Sequence, residues 1–148
     1  MTTVFFGGVP TEPDVEKLFM RWPEKDLKPG DVIKYSDIAT VIGVPVEDTR
    51  WQTVTQRWRR KLETAGLYFK CVDGAMFVVM TEAEKAGLAV NRLAQAGKKA
   101  LSAVAVSHRT DRSALDEVQR ARLDWVEGSA AKIRAVTQLR RKIALPEV

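Results

Sequence analysis

A fourteen-residue segment from Thr49 to Leu62 contains five basic side chains and no acid. Arginine and lysine donate charge-assisted hydrogen bonds to phosphate oxygens. Arginine also fits the edge of guanine, and glutamine fits adenine, in the major groove. The segment therefore predicts binding of a polyanion. The alternative is an ordinary solvated helix face or a protein contact, although such faces usually mix both signs of charge. The five cations are Arg50, Arg57, Arg59, Arg60 and Lys61.

Two tryptophans in the same segment have two interpretations. Trp51 and Trp58 could stack on single-stranded bases. However, they recur with Val54 and Leu62 at spacings of three and four, which is one face of a helix. We therefore expect these rings to pack in a core and to hold the helix rigidly. The side chains expected to fall away from that face are Arg50, Thr53, Arg57, Arg60 and Lys61.

Other chemically active residues do not form a recognisable site in the sequence. His108 is the single histidine and Cys71 the single cysteine, so no set of zinc ligands is evident. No histidine lies near the thiol in sequence to activate it. Gly7-Gly8 lacks the spacing and the following Lys-Ser/Thr of a phosphate loop. We expect a protein that is not an enzyme and that uses no metal and no cofactor.

Composition predicts a folded protein, and the single cysteine, which permits no intrachain disulfide, favours a reducing cytosol. The 148 residues are 45% hydrophobic and 29% charged. No apolar run approaches the roughly 20 residues of a membrane span, and the start lacks the features of a signal peptide. We expect no membrane association and a cytoplasmic, nucleoid-associated location.

The net charge of +5 is distributed unevenly along the chain. Residues 1–48 carry five bases and nine acids, a net charge of −4. Residues 49–80 carry six bases and two acids, and residues 81–148 carry thirteen and eight, so these parts are +4 and +5. A basic middle and a basic tail attract polyanions through their local field.

Turn and capping signals divide the first half of the chain into short elements. Thr11 to Asp14 is a helix start, and Pro23 ends that helix. A short strand is predicted at 32–35, followed by a short helix to Ile42 that stops at Gly43. A long helix then runs over 49–65. Two β-prone runs, 67–72 and 75–80, joined by Asp-Gly, predict a hairpin.

The second half predicts two long helices. The first begins with a capping box at Thr81 and runs to about Val106, and the second runs from Ser113 to about Leu145. A polar break at 108–112 separates them. Each is too apolar on one side to stand alone in water, so we expect a helical hairpin that also packs against other chains as a dimer or tetramer.

The sequence suggests roles for two further features of this tail. Trp125 is most simply an anchor between helices. The basic run Arg140, Arg141 and Lys142 near the C-terminus is a candidate second phosphate-binding patch. It would equally complement the negative end of a helix dipole.

The order helix, short strand, short helix, long helix and hairpin resembles a winged helix-turn-helix domain over about residues 10–80. The resemblance is carried by DIATVIGVPVEDTRWQTVTQRWRRKLETAGLYFKCVDGAMFVV. In that family a small residue of the second helix packs on the third, as Ala39 would, and a glycine begins the turn, as Gly43 does. The turn over 43–48 is longer than in the tightest members. The tail at 81–148 resembles nothing recognisable.

This resemblance implies an α+β, mostly α, chain with a DNA-binding head at 1–80 and a helical oligomerisation region at 81–148. The long third helix would enter the major groove, and the hairpin would touch the flanking backbone. Asp73 at the hairpin tip opposes deep insertion. The side chains expected nearest to DNA are Gln52, Thr53, Gln56, Arg57 and Arg60, with Arg50, Arg59, Lys61 and Lys70 as further basic contacts.

The sequence therefore predicts an oligomeric protein that binds double-stranded DNA. It would be a transcription regulator or a sequence-tolerant DNA-coating protein, in a bacterial or phage setting. The alternative is an interaction adaptor whose helical tail binds a host or partner protein. Salt separates the two, because DNA binding releases counterions, and its affinity therefore falls steeply as the salt concentration rises, whereas a mostly apolar protein contact is much less sensitive to salt.

Overall fold

The chain is described by a computed structural model over residues 5–6 and 8–142, with the side chains of 8–135. The fold is α+β and mostly helical, with one three-stranded antiparallel sheet among the described residues. The chain divides into two compact units, Met1–Lys85 and Ala86–Val148. The elements of the first unit are β1 Phe5–Phe6, β2 Val9–Pro10, α1 Glu12–Arg21, β3 Val32–Lys34, α2 Tyr35–Ile42, α3 Thr49–Thr64, β4 Phe69–Val72 and β5 Met76–Val79.

Helix α3 is held by its apolar face, as the spacing predicts. Trp51 is 5% exposed, and Trp58 and Leu62 are fully buried. The Trp58 ring lies 5.9 Å from the Trp22 ring and 5.4 Å from the Phe69 ring. The expectation of core packing for Trp51 and Trp58 is therefore confirmed. Apolar residues of α1, α2 and the sheet complete this core, namely Val15, Leu18, Ile33, Ile38, Ile42 and Phe77.

The ends of α2 and α3 follow from local chemistry. Gly43 caps α2 in the left-handed region with φ +69°, which glycine adopts without a steric cost. The side chain of Asp48 accepts a hydrogen bond of 2.8 Å from the backbone N–H of Arg50 and so caps α3. Helix α2 begins at Tyr35, which the sequence pattern had assigned to the preceding strand. The Tyr35 N–H bonds the Ala75 carbonyl, so its backbone donor is satisfied outside the helix.

The sheet has the strand order β3–β5–β4, with both pairs antiparallel. The predicted hairpin is present, because Val72 pairs with Met76 across a short loop. Asp73 and Gly74 both have positive φ, 54° and 61°, as a tight loop at Asp-Gly requires. The hairpin presents Phe77, 2% exposed, to the core.

The second unit contains most of α4, Glu82–Arg109, and all of α5, Glu117–Lys142. The predicted capping box at the start of α4 is confirmed, since Thr81 and Glu84 exchange backbone-to-side-chain bonds of 2.9 and 3.3 Å. Near the other end of α4, Ser107 donates a 2.6 Å bond to Glu127 of α5. Arg112, between the helices, bonds Asp124 at 2.7 Å and Glu127 at 3.0 Å. These contacts connect the two helices close to the turn.

Two predicted boundaries in the tail were wrong. Helix α4 continues to Arg109, so His108 lies inside it rather than in a polar break. Ser113 belongs to a short 3-10 turn, and α5 begins at Glu117. The reason is a second capping box, in which Asp116 and Gln119 exchange bonds of 2.7 and 3.1 Å and fix the helix start there. The predicted end of the helix at Leu145 lies outside the described residues.

A membrane-spanning helix and a metal-binding cluster are both absent from the part of the chain that is described. No helix there combines the length and the apolar character that crossing a bilayer requires. No group of three or more histidine, cysteine, aspartate or glutamate side chains there is arranged to hold a metal ion.

Candidate nucleic-acid interface

The basic side chains of α3 do not all point the same way. Successive helical residues are rotated by about 100°, so positions 50, 57 and 61 share one direction and positions 52, 56 and 60 share another. The buried stripe fixes the rotation of the whole helix. The first group therefore faces the N-terminal end of α1, and the second group faces solvent.

Arg50 is bonded to α1 and to strand β2, which precedes α1 in the chain. Its guanidinium donates to one oxygen of Asp14 from Nε at 3.1 Å and from a terminal nitrogen at 2.8 Å. It also donates to the Pro10 carbonyl at 2.9 Å. The Asp14 side chain is 9% exposed and that of Arg50 16%. Burial by itself would raise the pKa of Asp14, but hydrogen bonds from Arg50 and Lys17 outweigh it and lower the pKa. This pair joins α1 to α3.

Arg57 and Lys61 meet a single carboxylate at the start of α1. Arg57 donates to Glu12 at 2.8 Å and also bonds the hydroxyl of Thr11, and Lys61 donates to the other oxygen of Glu12. The hydrogen bond from Lys61 lowers the pKa of Glu12, and Arg57 adds to this effect. The three ionic side chains remain 20–45% exposed. This cluster, Glu12, Arg57 and Lys61, is called the Glu12 clamp below.

Arg59 lies on the opposite flank of α3, against the sheet. The centre of its guanidinium is 4.7 Å from the centroid of the Phe77 ring, a cation–π contact. The Tyr35 ring packs on Phe77 at 4.6 Å. Burial raises the pKa of Tyr35 to about 12, and the Cys71 side chain adds to the rise. Arg59 therefore covers an aromatic cluster between α3 and the sheet.

The hairpin cation is also paired. Lys70 of β4 forms a salt bridge with Glu84 in the first turn of α4. The hydrogen bond from Lys70 lowers the pKa of Glu84. One residue later in α4, Lys85 donates to the Gly66 carbonyl at 3.1 Å, at the end of α3. These contacts tie the start of α4 to the hairpin and to the end of α3 within the first unit.

Three side chains form an exposed polar row along the outer face of α3. Gln52, Gln56 and Arg60 are spaced by four residues and are all exposed. Thr53, beside the row, is half-buried and its hydroxyl donates to the Thr49 carbonyl at 3.0 Å. Glu63 is half-buried at the far end and limits the length of the cationic surface. The row presents two amides and one guanidinium on a rigidly held helix.

The predicted contact residues are thus separated into two groups. Gln52, Gln56 and Arg60 lie together on the outer face, whereas the other basic members have partners within the protein. The nine-residue DNA-contact set stays a prediction. The basic run Arg140, Arg141 and Lys142 occupies the last turn of α5, and its side chains lie outside the described part of the structure.

Sequence reasoning missed the acidic partners of the basic segment. These are Glu12 and Asp14 in the first turn of α1, and Glu84 at the start of α4. A signal was present in the equal and opposite charges of residues 1–48 and 49–80, −4 and +4. Adjacent segments of opposite charge in one small fold place some of those charges in contact.

The chain matches no protein-family model, no curated protein and no solved structure in the three comparisons made.

Proposed function

We propose that the first unit is a winged-helix module that binds double-stranded DNA through the outer face of α3. Two features support this proposal. The elements follow the order helix, strand, helix, helix and hairpin that the resemblance requires. The hairpin strand β5 lies between β3 and β4, so the hairpin is anchored to the sheet beside α3.

The exposed row of α3 is the observation that carries the proposal. The guanidinium of Arg60 can donate hydrogen bonds to phosphate oxygens, or two hydrogen bonds to a single guanine. The side-chain amides of Gln52 and Gln56 can each form two hydrogen bonds with adenine. The buried face of Trp51, Val54, Trp58 and Leu62 fixes the direction of these groups before binding. A rigid helix loses little conformational entropy when it binds, so a short polar row is sufficient to orient it.

The remaining cations have different roles, which depend on how exposed each one is. Arg57 and Lys61 are partly exposed and adjoin the row, so they supply phosphate contacts once DNA replaces Glu12 as their partner. Lys70 supplies a contact from the hairpin in the same way, by exchange with Glu84. Arg50 is mostly buried on Asp14, and Arg59 covers Phe77, so both position α3 rather than bind DNA directly.

The second unit is proposed to join copies of the chain. Linking several heads raises the effective concentration of each head at the DNA, so weak binding by one head becomes useful avidity. A regulator with paired half-sites and a sequence-tolerant coating protein both fit this plan, in a bacterial or phage setting.

A second candidate function has its own observation. Leu101 and Val106 of α4 and Val118 and Trp125 of α5 are 48–72% exposed. Exposed apolar groups of this size favour a protein contact. In this alternative the tail binds a host or partner protein and the chain acts as an adaptor.

The deciding experiment titrates a labelled random-sequence duplex with the protein at low and at moderate salt. The variant Arg60→Ala removes the exposed guanidinium, and Lys25→Ala removes an exposed cation outside α3 with the same change in net charge. We expect salt-dependent binding that Arg60→Ala weakens about tenfold or more and Lys25→Ala leaves nearly unchanged.

Each outcome has a defined meaning. Equal affinities of the two variants would show that the row on α3 is not the contact surface. No binding of the wild-type protein at low salt would overturn DNA binding and leave the adaptor function. If the random-sequence duplex binds, the same titration with several duplexes of defined sequence follows, and equal affinities among them would favour the coating role over the regulator.

A further inference from the structure

Helix α4 carries a second run of basic residues without any acid. Residues 86–110 contain four bases and no aspartate or glutamate. The first half of α5 is different, because residues 116–127 mix four acids with two bases. Mixed signs are usual on a solvated helix face, whereas a single sign over such a length is not. The four bases are Arg92, Lys98, Lys99 and Arg109.

The two lysines project from the exposed side of α4. The buried side of the helix is marked by Gly97, Ala100 and Ser107. At about 100° for each residue, both lysines lie away from that side, and both are exposed. They are in the middle of α4, so the dipole at neither end of the helix accounts for them. The exposed polar residues of this side, called the α4 basic face below, are Gln95, Lys98, Lys99, Ser102 and Arg109.

No acid is placed to neutralise this face. Asp124 and Glu127 of α5 are both bonded to Arg112 at the turn. Farther along α5, residues 128–142 contain five bases and no acid. Within the part of the chain that the structure describes, the cations of the α4 basic face form no ion pair. They differ in this from the cations of the Glu12 clamp, which a carboxylate already holds, and so they keep their positive field.

The composition of the face selects the kind of polyanion. Its cations are accompanied by an amide and a hydroxyl group, which donate hydrogen bonds to phosphate oxygens. A helix that lies on a membrane would instead place tryptophan, phenylalanine or leucine beside its cations. Helix α4 contains no aromatic residue, and its commonest residue is alanine, which offers little apolar area to insert into a bilayer. Lysine binds phosphate as a point charge and therefore reads no base sequence.

We propose that the α4 basic face binds the phosphate backbone of duplex DNA without regard to sequence. From Lys98 to Arg109 the helix rises about 16 Å, which is the length of about five base pairs. The two lysines and the arginine contact up to three phosphates, and the side chains of Gln95 and Ser102 add hydrogen bonds beside them. The contact is separate from that of α3, because it uses side chains of the second unit alone.

Duplex binding by the full chain tests the inference when the two lysines are replaced together. In Lys98→Gln with Lys99→Gln, we expect the affinity for a random-sequence duplex at low salt to fall about tenfold or more. The slope of log K against log salt should become shallower by about 1.8, at about 0.9 for each lost phosphate contact. Glutamine has nearly the helix propensity of lysine, so thermal unfolding should not change.

The matched control removes two exposed lysines of the first unit. Lys25→Gln with Lys28→Gln changes the net charge equally and should leave the affinity and the slope nearly unchanged. Lys98→Arg with Lys99→Arg keeps both charges of the α4 basic face and should bind as the wild-type protein does. Binding as weak as that of the glutamine variant would overturn a contact based on charge.

Acetylation of the wild-type protein with acetic anhydride gives a second measurement, which needs no substitution. Bound duplex should protect Lys98 and Lys99 from the reagent more than it protects Lys25, as mass spectrometry of the digested protein measures. Equal protection of all three lysines would mean that the duplex does not lie on α4.

The outcomes separate this contact from that of α3. If Arg60→Ala weakens duplex binding and the lysine-to-glutamine variant does not, α3 binds DNA and the inference about α4 is wrong. If the lysine-to-glutamine variant weakens binding and Arg60→Ala does not, the α4 contact stands and the role proposed for α3 is wrong. No binding of the wild-type chain at low salt overturns both. Unchanged duplex binding together with lysine-dependent binding to vesicles that contain phosphatidylserine would mean that the face binds a lipid surface instead.

Discussion

Neutralising one carboxylate should strengthen DNA binding. In the Glu12 clamp, the carboxylate of Glu12 forms ion pairs with both Arg57 and Lys61. These are the two basic side chains that adjoin the exposed row of α3. A DNA phosphate competes with Glu12 for these two cations. In Glu12→Gln the cations are released from their charged partner, so we expect a gain in affinity and a steeper dependence on salt.

The size of the gain follows from the two ion pairs. Partly exposed pairs of this kind contribute about 0.2–1 kcal/mol each. Two pairs together therefore correspond to a gain in affinity of about 2- to 30-fold, at about 1.4 kcal/mol for each factor of ten. If Glu12 keeps both cations from phosphate in the wild-type complex and each gains a phosphate in the variant, the slope of log K against log salt becomes steeper by up to about 1.8; if the wild-type complex already exchanges Glu12 for phosphate, only the affinity changes. Thermal stability should fall by no more than the same pair energies.

The assay is a fluorescence titration of one duplex at several salt concentrations, with Glu16→Gln as the matched control. Glu16 is an exposed acid on the same helix, so its replacement changes the net charge equally without touching the clamp. Equal slopes and affinities in the two variants would refute the reasoning that Glu12 competes with phosphate. Weaker binding by Glu12→Gln would instead mean that Glu12 holds Arg57 and Lys61 in position for DNA.

Two further predictions concern the supports of α3. Trp58→Ala should lower the free energy of unfolding by about 3–5 kcal/mol, because the ring is fully buried between Trp22 and Phe69. Chemical denaturation measures this loss of stability. A loss below about 1 kcal/mol would contradict the packing of Trp58 in the core. The lowered pKa of Asp14 means that its stabilising contribution is present above the unfolded pKa and is lost as pH falls through the folded pKa. Stability of the wild-type protein should therefore decline on acidification below about pH 4, and Asp14→Asn should be less stable at neutral pH and less dependent on acid. Parallel acid-unfolding profiles of the two proteins would show that Asp14 contributes no such linkage.

Local signals were sufficient to predict most of the helices and strands of the first unit. Gly43 ends α2 as predicted, because capping is a property of a few neighbouring residues. Thr11 precedes α1 at the predicted place, but its side chain makes no capping bond and its hydroxyl bonds Arg57 instead. The Asp-Gly pair at 73–74 predicted the hairpin because both residues tolerate positive φ. The tail boundaries were less well predicted. The capping box of Asp116 and Gln119 competed with Ser113 for the helix start, and the sequence pattern alone did not rank them.

The sequence by itself determined that α3 has a buried tryptophan face and an excess of positive charge, since both are set by the residue types and by the 3.6-residue period. Only the tertiary structure decided which cations remain exposed. The bond from Arg50 to Asp14 spans 36 positions in the chain and that from Lys61 to Glu12 spans 49, so no local pattern reveals them. Arg60 differs from Arg57 by less than one helical turn, yet it faces solvent while Arg57 meets a carboxylate. That difference arises because α1 packs along one flank of α3, and its first turn carries the acids that neutralise the cations there.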